Sequence, residues 1–304
     1  MTQSHLPGLD DARRRLAARF GAGVEPWFDE LPGVLSALAE GWEIELGSFI
    51  PRGSMSVVVR CRARGGRPAV LKVSPDRGRL GNEAAALDRW TTVHTPSVLA
   101  VDESVGALLM EAIEPGTALI EGSTYPELER MTELLIALRA RGVADPLFPP
   151  LSRRVAHLFD SGTRPYERHP ELLESITPEL YERGHRLATA LADDSSPTTL
   201  LHGDLTPSNV LDGGDERGLV AIDPAPCLGD AAFDTVDLLL WQAHDVDTIA
   251  ARADLLAQAI DLEAARLLDW CTAFAAMVAL ELAEAPDASQ RRIEALVTLA
   301  SRAP

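Results

Sequence analysis

The spacing of apolar residues changes character once along this chain, at about Tyr125, shortly after a lobe boundary expected at Gly116-Thr117. Before that point short strand-like runs dominate: "WEIELGSFI" from Trp42, "SMSVVVRCR" from Ser54 and "PAVLKVSP" from Pro68, alternating or continuously apolar over four to eight positions as β-strands are. Gly65 and Gly66 supply a hairpin turn between the second and third runs, so an antiparallel meander is predicted. "RGRLGNEAAALDRWTT" from Arg77 has helical spacing, and "PSVLAVDE" and "ALLMEAI" form two more strands about a turn at Gly106. The residues before Trp42 are read as a helical extension.

From Tyr125 onward the period becomes helical. "PELERMTELLIALRARG", "PELYERGHRLATALAD", "FDTVDLLLWQAHD", "LLAQAIDLEAARLLDWCTAFAAMVALELAEA" and "ASQRRIEALVTLAS" all place apolar residues three and four apart. Within this half only "TTLLHGDL", "NVLDGG" and "GLVAIDPA" read as strands. The expected architecture is α+β and bilobal: residues 1–116 form a small antiparallel sheet with one helix behind an N-terminal helical extension, and residues 117–304 form a larger, mostly helical lobe.

Composition narrows the function classes. A chain of 304 residues, 46% of them apolar, buries a large core in one or two domains. Its formal charge of -18 argues against nucleic acid, whose binding depends on Lys and Arg neutralising phosphate, and suits a cationic or polyhydroxylated small molecule. The start, with "DDARRRLAARF", lacks a secretory pattern, and the uncharged run "WCTAFAAMVAL" is too short to span a bilayer; a cytoplasmic protein without a membrane partner is expected, as monomer or homodimer. Cys61, Cys227 and Cys271 lack ligand or disulfide spacing and are expected to be buried thiols. Arg is scattered throughout, yet Lys occurs once, at Lys72, inside the apolar strand "PAVLKVSP".

"LLHGDLTPSNVLDGG" and "GLVAIDPA" carry the candidate chemistry. Asp204, Asn209 five residues later, and Asp223 at the end of a later strand follow the order of a phosphoryl-transfer site. There one carboxylate receives the hydroxyl proton, while an amide oxygen and a second carboxylate supply the hard ligands that Mg²⁺ prefers. Singly, these residues would pass for turn formers and Lys72 for an edge-strand amine. Their joint order and spacing point to a kinase.

With "AIDPAPCLGDAAFD", this segment resembles the aminoglycoside phosphotransferase family of the protein-kinase-like fold, in its streptomycin 6-kinase and hydroxyurea-kinase branch. The likeness runs from about Trp42 to at least Trp241; Thr206 stands where the branch often has His, and Ala231 where it usually has Pro. The resemblance implies Asp204 as catalytic base, Asn209 and Asp223 as Mg²⁺ ligands, and Lys72 on the α- and β-phosphates of ATP, oriented by Glu83. His202 is expected to buttress the loop. Gly53, Ser54, Met55 and Ser56 would offer backbone N–H groups to phosphate, and the backbones of Glu111 and Ile113 would meet adenine.

Asp230 and Asp234 in "GDAAFD" are expected to fix the loop or line the acceptor site, and Asp237, Trp241, Asp245 and Trp270 are further candidate acceptor contacts, since carboxylates beside tryptophan suit an ammonium or guanidinium group. The resemblance implies ATP- and Mg²⁺-dependent phosphorylation of a hydroxyl on an antibiotic such as streptomycin. The same fold also accommodates a kinase of hydroxyurea, a nucleoside antibiotic or a sugar or amino-alcohol metabolite, and a silent kinase-like binding module.

Overall fold

The computed structural model describes residues 8–51, 53, 55–122, 124–162, 166–167, 170–194, 197–285 and 288–302. The chain divides into two compact units, Met1–Gly116 and Thr117–Pro304. In the first unit α1 (Leu9–Phe20) and α2 (Glu25–Gly41) precede β1 (Glu45–Phe49), β2 (Val57–Ala63) and β3 (Arg67–Val73); α3 (Arg77–Trp90), β4 (Val98–Asp102) and β5 (Ala107–Glu111) follow. The strands form one antiparallel sheet in the order β1-β2-β3-β5-β4.

Side-chain alternation along β3 decides what this sheet can do. Ala69, Leu71 and Val73 join a core with Leu16 of α1 and Phe28, Leu31 and Leu35 of α2, so Lys72 projects from the opposite face. On α3, Leu80, Ala84 and Leu87 form the buried stripe, and Glu83 lies within it. The N-terminal extension is thus two helices that supply part of the core.

The second unit contains α4 (Leu128–Arg141), α5 (Leu151–Gly162), α6 (Pro178–Asp193), α7 (Val236–Leu240), α8 (Val246–Ile260), α9 (Ala264–Ala283) and α10 (Gln290–Ser301). Two small antiparallel ladders are set among these helices. β6 (Thr199–Leu201) pairs with β9 (Cys227–Gly229), and β7 (Val210–Asp212) pairs with β8 (Leu219–Ala221). Helix α9 is the centre of the packing, with Trp270, Cys271, Ala273, Ala275, Ala279 and Leu280 fully enclosed. All three cysteines are free and buried, as expected.

Several elements differ from the sequence expectation. The long run from Leu255 is two helices, because Asp261 adopts a left-handed conformation (φ 54°) that closes α8 before α9 begins. "FDTVDLLLWQAHD" makes only a 3-10 turn, Ala231–Thr235, and the five-residue α7, which ends when Trp241 turns extended. Helix α5 and strand β9 were not anticipated. Helix α5 buries Leu151, Val155 and Phe159, one residue per turn, a stripe too thin to mark it clearly in sequence. Among the described residues no helix is long and apolar enough to cross a membrane.

Because α1 supplies core rather than decoration, Leu16→Ala is expected to destabilise the protein by about 2–5 kcal/mol. Chemical denaturation followed by circular dichroism measures it, and a change below about 0.5 kcal/mol would contradict this packing.

Candidate active site

In the first unit Lys72 and Glu83 form a tight buried pair. The Lys72 ammonium donates to both carboxylate oxygens of Glu83, at 2.6 and 2.7 Å, with side-chain exposures of 7% and 2%. Lys72 sits opposite Val58 on one side and Leu108 on the other, in the middle of the sheet. Removing one partner of such a pair leaves a buried charge uncompensated and costs about 3–5 kcal/mol. An amine held this way is pre-aimed, a single cation on a fixed strand.

The turn between β1 and β2 carries the expected phosphate-facing residues. Gly53 has φ 104°, a conformation open chiefly to glycine. The Ser74 hydroxyl donates to the Met55 carbonyl at 2.7 Å, the Arg15 guanidinium of α1 donates to the Gly53 carbonyl at 3.2 Å, and Ser56 is buried. Ser54 lies outside the described residues. At the end of β5 the Glu111 N–H donates to the Ser97 carbonyl, and its carboxylate accepts from Ser97 and pairs with Arg67. Ile113 follows, half-buried, beyond the strand.

In the second unit the ladders converge on one loop. β6 ends at Leu201 and runs into His202-Gly203-Asp204; Asn209 leads into β7, and Asp223 lies two residues beyond β8. The Ile222 N–H donates to the Asn209 carbonyl at 2.8 Å, extending the β7–β8 ladder so that Asp223 follows directly after the residue facing Asn209. Asp223 has φ 60°, a left-handed conformation that Asp tolerates better than most residues and that concentrates at functional sites.

Asp234 holds this loop from beneath. Its buried carboxylate accepts the N–H groups of His202 at 2.7 Å and Gly203 at 2.9 Å. Burial pushes its pKa up to about 6, against the pull of those two N–H groups. His202 is wholly buried; its Nε2 bonds the Ile222 carbonyl at 3.0 Å, so Nε2 carries the hydrogen and Nδ1 faces the Asp204 N–H at 3.4 Å. Gly203 has no room for a side chain, because a Cβ there would lie 2.1 Å from the Ala225 carbonyl oxygen.

The Asp204 carboxylate is gripped on both oxygens. Arg154 of α5 donates from Nη2 to Oδ1 at 2.8 Å and from Nε to the Gly203 carbonyl at 2.7 Å. Asn209 Nδ2 donates to Oδ2 at 3.0 Å and to the Asp204 carbonyl at 2.9 Å. Two acceptors on one side of the Asn209 amide identify that side as nitrogen and turn its oxygen the other way. Asn209 Oδ1 and the Asp223 carboxylate are the kind of hard donors that fit Mg²⁺, which takes one or two protein ligands and fills the rest of its shell with phosphate and water.

The acceptor candidates divide. Asp237 is half-buried on α7; burial, then the charges of Asp204 and Glu281, push its carboxyl up to about 7. Glu281 at the end of α9 is also pushed up, by lost solvation and then by Asp204 and Glu284. The others are fasteners. Asp230 Oδ1 accepts the Ala232 N–H, while its Oδ2 accepts Arg266 Nε at 2.6 Å and the Trp270 indole N–H at 2.8 Å, and Trp270 is fully buried. Trp241 is buried beside Tyr125, whose ring Arg252 covers at 3.5 Å. Asp245 caps α8 by accepting the Thr248 N–H. Sequence reasoning missed Arg154 and Glu281. A partial signal existed for Arg154, a charged residue one turn along from Leu151 and directly before Val155, at the edge of the α5 stripe.

The chain is similar to known proteins over most of its length. A family model described as aminoglycoside/hydroxyurea antibiotic resistance kinase matches residues 41–285. The streptomycin 6-kinase of Streptomyces glaucescens is 26% identical over 299 residues, covering 93% of this chain and 92% of the relative. The hydroxyurea phosphotransferase of Kitasatospora aureofaciens is 27% identical over 264 residues, covering 82% and 72%. Among solved structures, a thermostable mutant of an aminoglycoside phosphotransferase in complex with ADP and hygromycin B superposes with TM-score 0.57 at 16% identity, covering 88% and 99%. The choline kinase LicA of Streptococcus pneumoniae gives the same score at 13% identity, covering 89% and 99%. The architecture is the protein-kinase-like fold.

The raised carboxyl of Asp237 sets a pH-dependent cost. Its folded pKa lies above the ordinary value near 3.8, so the unfolded chain loses the proton first and stability falls as pH rises from about 4 through about 7. Asp237→Asn is expected to melt above the wild type at pH 8, with the gap closing as the pH is lowered to about 4. A gap that widens on acidification would reverse the assignment.

Proposed function

The chain belongs to the aminoglycoside/hydroxyurea antibiotic resistance kinase family, and on that premise we propose that it transfers the γ-phosphoryl group of ATP, with Mg²⁺, to a hydroxyl of a cationic antibiotic of the streptomycin kind. The observation that carries the reading is the Asp204–Asn209 arrangement, in which the amide nitrogen of Asn209 is tied to Asp204 and its oxygen is turned the other way, where it could serve a metal. The acidic neighbours Asp237 and Glu281 favour a cationic acceptor over a neutral one such as hydroxyurea.

In this mechanism the acceptor hydroxyl oxygen bonds to the γ-phosphorus as the bridging bond to the β-phosphate breaks. Its proton passes to Asp204 and ADP leaves. Lys72, steadied by Glu83, meets the α- and β-phosphates, and the backbone at Gly53, Met55 and Ser56 offers N–H groups to them. The Glu111 N–H is already engaged with Ser97, so adenine would meet the Glu111 carbonyl and the Ile113 backbone. Asn209 and Asp223 would hold the metal, which when bound neutralises charge on the transferring group. Asp204 accepts the proton late, as the developing alkoxide is quenched, which suits a carboxylate already paired with Arg154. Transfer places a dianionic phosphate where a drug's target expects a neutral hydroxyl.

A coupled ADP-release assay against streptomycin, other aminoglycosides, hydroxyurea, nucleoside antibiotics and amino sugars tests this reading. Turnover with streptomycin is expected, and Asp204→Ala should lower kcat by roughly 10²- to 10⁴-fold while nucleotide still binds. Turnover with hydroxyurea or a neutral nucleoside alone would overturn the cationic acceptor. Asp223→Ala is expected to abolish Mg²⁺-dependent ATP binding in calorimetry, and retained tight binding would remove Asp223 from the metal.

A further inference from the structure

Arg154 presents a fork to two consecutive groups of one loop. Its Nε reaches the Gly203 carbonyl at 2.7 Å and its Nη2 reaches Asp204 Oδ1 at 2.8 Å, and the pair is largely enclosed, with side-chain exposures of 12% for Arg154 and 30% for Asp204. A carboxylate turns about its terminal torsion in a broad two-fold well. Donors on both oxygens stop that rotation: Arg154 on Oδ1 and Asn209 on Oδ2. A carboxylate oxygen has two lone pairs, so one donor on each does not by itself bar a hydroxyl. Asp204 also stands near Asp234, Asp237 and Glu281. In that acidic surrounding a carboxylate without a cationic donor would be pushed to swing away from its neighbours.

We propose that Arg154 is the positioning residue for Asp204: helix α5 delivers a guanidinium whose planar fork fixes both the rotation of the Asp204 carboxylate and the backbone that carries it. The proposal rests on the kinase reading above. Arginine is needed because only its fork spans a carbonyl and a carboxylate at once, whereas lysine brings a point charge on a flexible stem. Asn209 alone does not take this part, since it reaches only the Asp204 carbonyl and Oδ2 and leaves Oδ1 and the Gly203 carbonyl to Arg154.

The test is steady-state ADP release, with streptomycin as acceptor, by wild type, Arg154→Ala, Arg154→Lys and Asp204→Asn, with thermal melting of each. Arg154→Ala is expected to lose roughly 10- to 100-fold in kcat, the penalty of a misplaced reacting group, with KM for Mg-ATP within about twofold. Guanidinium ion at millimolar concentration should restore part of that kcat, and sodium at equal ionic strength should not. Arg154→Lys, which keeps the charge should the alanine variant fail to fold, is expected to remain at least about fivefold below wild type in kcat. A wild-type kcat in either variant, or a loss that appears in KM for Mg-ATP instead of kcat, overturns the proposal. Should the wild type transfer no phosphate to any acceptor, the kinase reading fails separately. A double-mutant cycle in melting between Arg154→Ala and Asp204→Asn then decides on the pair, coupling supporting it and additivity overturning it.

Discussion

One buried carboxylate organises the second unit. Asp234 accepts the backbone N–H groups of His202 and Gly203, and hydrogen bonds to a charged group contribute about 1.5–3 kcal/mol each. Without it those two N–H groups would be orphaned beneath the loop. With it, His202 is seated against the Ile222 carbonyl, Gly203 passes close over Ala225, and Asp204 emerges with a fixed backbone. The cost is a desolvated acid whose pKa rises to about 6. A stable protein tolerates such a cost where an exact placement is needed, and this loop is such a place.

The same logic recurs in the first unit with the signs arranged differently. Lys72 is buried on the sheet and is satisfied only because Glu83 stands in the apolar stripe of α3. In both units a charge is taken out of water and held by a small number of short bonds, which gives rigidity rather than net stability. Arg154 completes the pattern on Asp204. The carboxyl pKa values of Asp237 and Glu281 are raised as well, each chiefly by burial and then by neighbouring carboxylates.

Much of this was readable from residue order. The five strands of the first sheet and the helix behind them follow from period-two runs and a helical stripe, and the candidate catalytic segment was singled out by Asp, Asn and Asp at a set spacing. Residues chosen only for type in the helical half fared differently. Trp241, Asp245 and Trp270 suggested a cation site because acids lie near tryptophans in the chain, and Asp230 a loop fastener or an acceptor contact. In the fold Asp230 is spent on Ala232, Arg266 and Trp270, and Asp245 on a helix cap. Sequence proximity along α7 to α9 does not say which face each side chain takes, and the break at Asp261 shifts that phase again.

What the sequence alone determined is the set of groups bound to local backbone geometry: Lys72 on its strand, Glu83 in its helical stripe, and Asp204, Asn209 and Asp223 around two short ladders. Their positions depend on neighbours a few residues away, and local periodicity records those neighbours. What only the tertiary structure decided is how distant segments share charge. Arg154 comes 50 residues before Asp204 and Asp234 comes 30 after it. No local pattern encodes such pairings, because they arise from helices packing against a loop, and packing is set by the whole core.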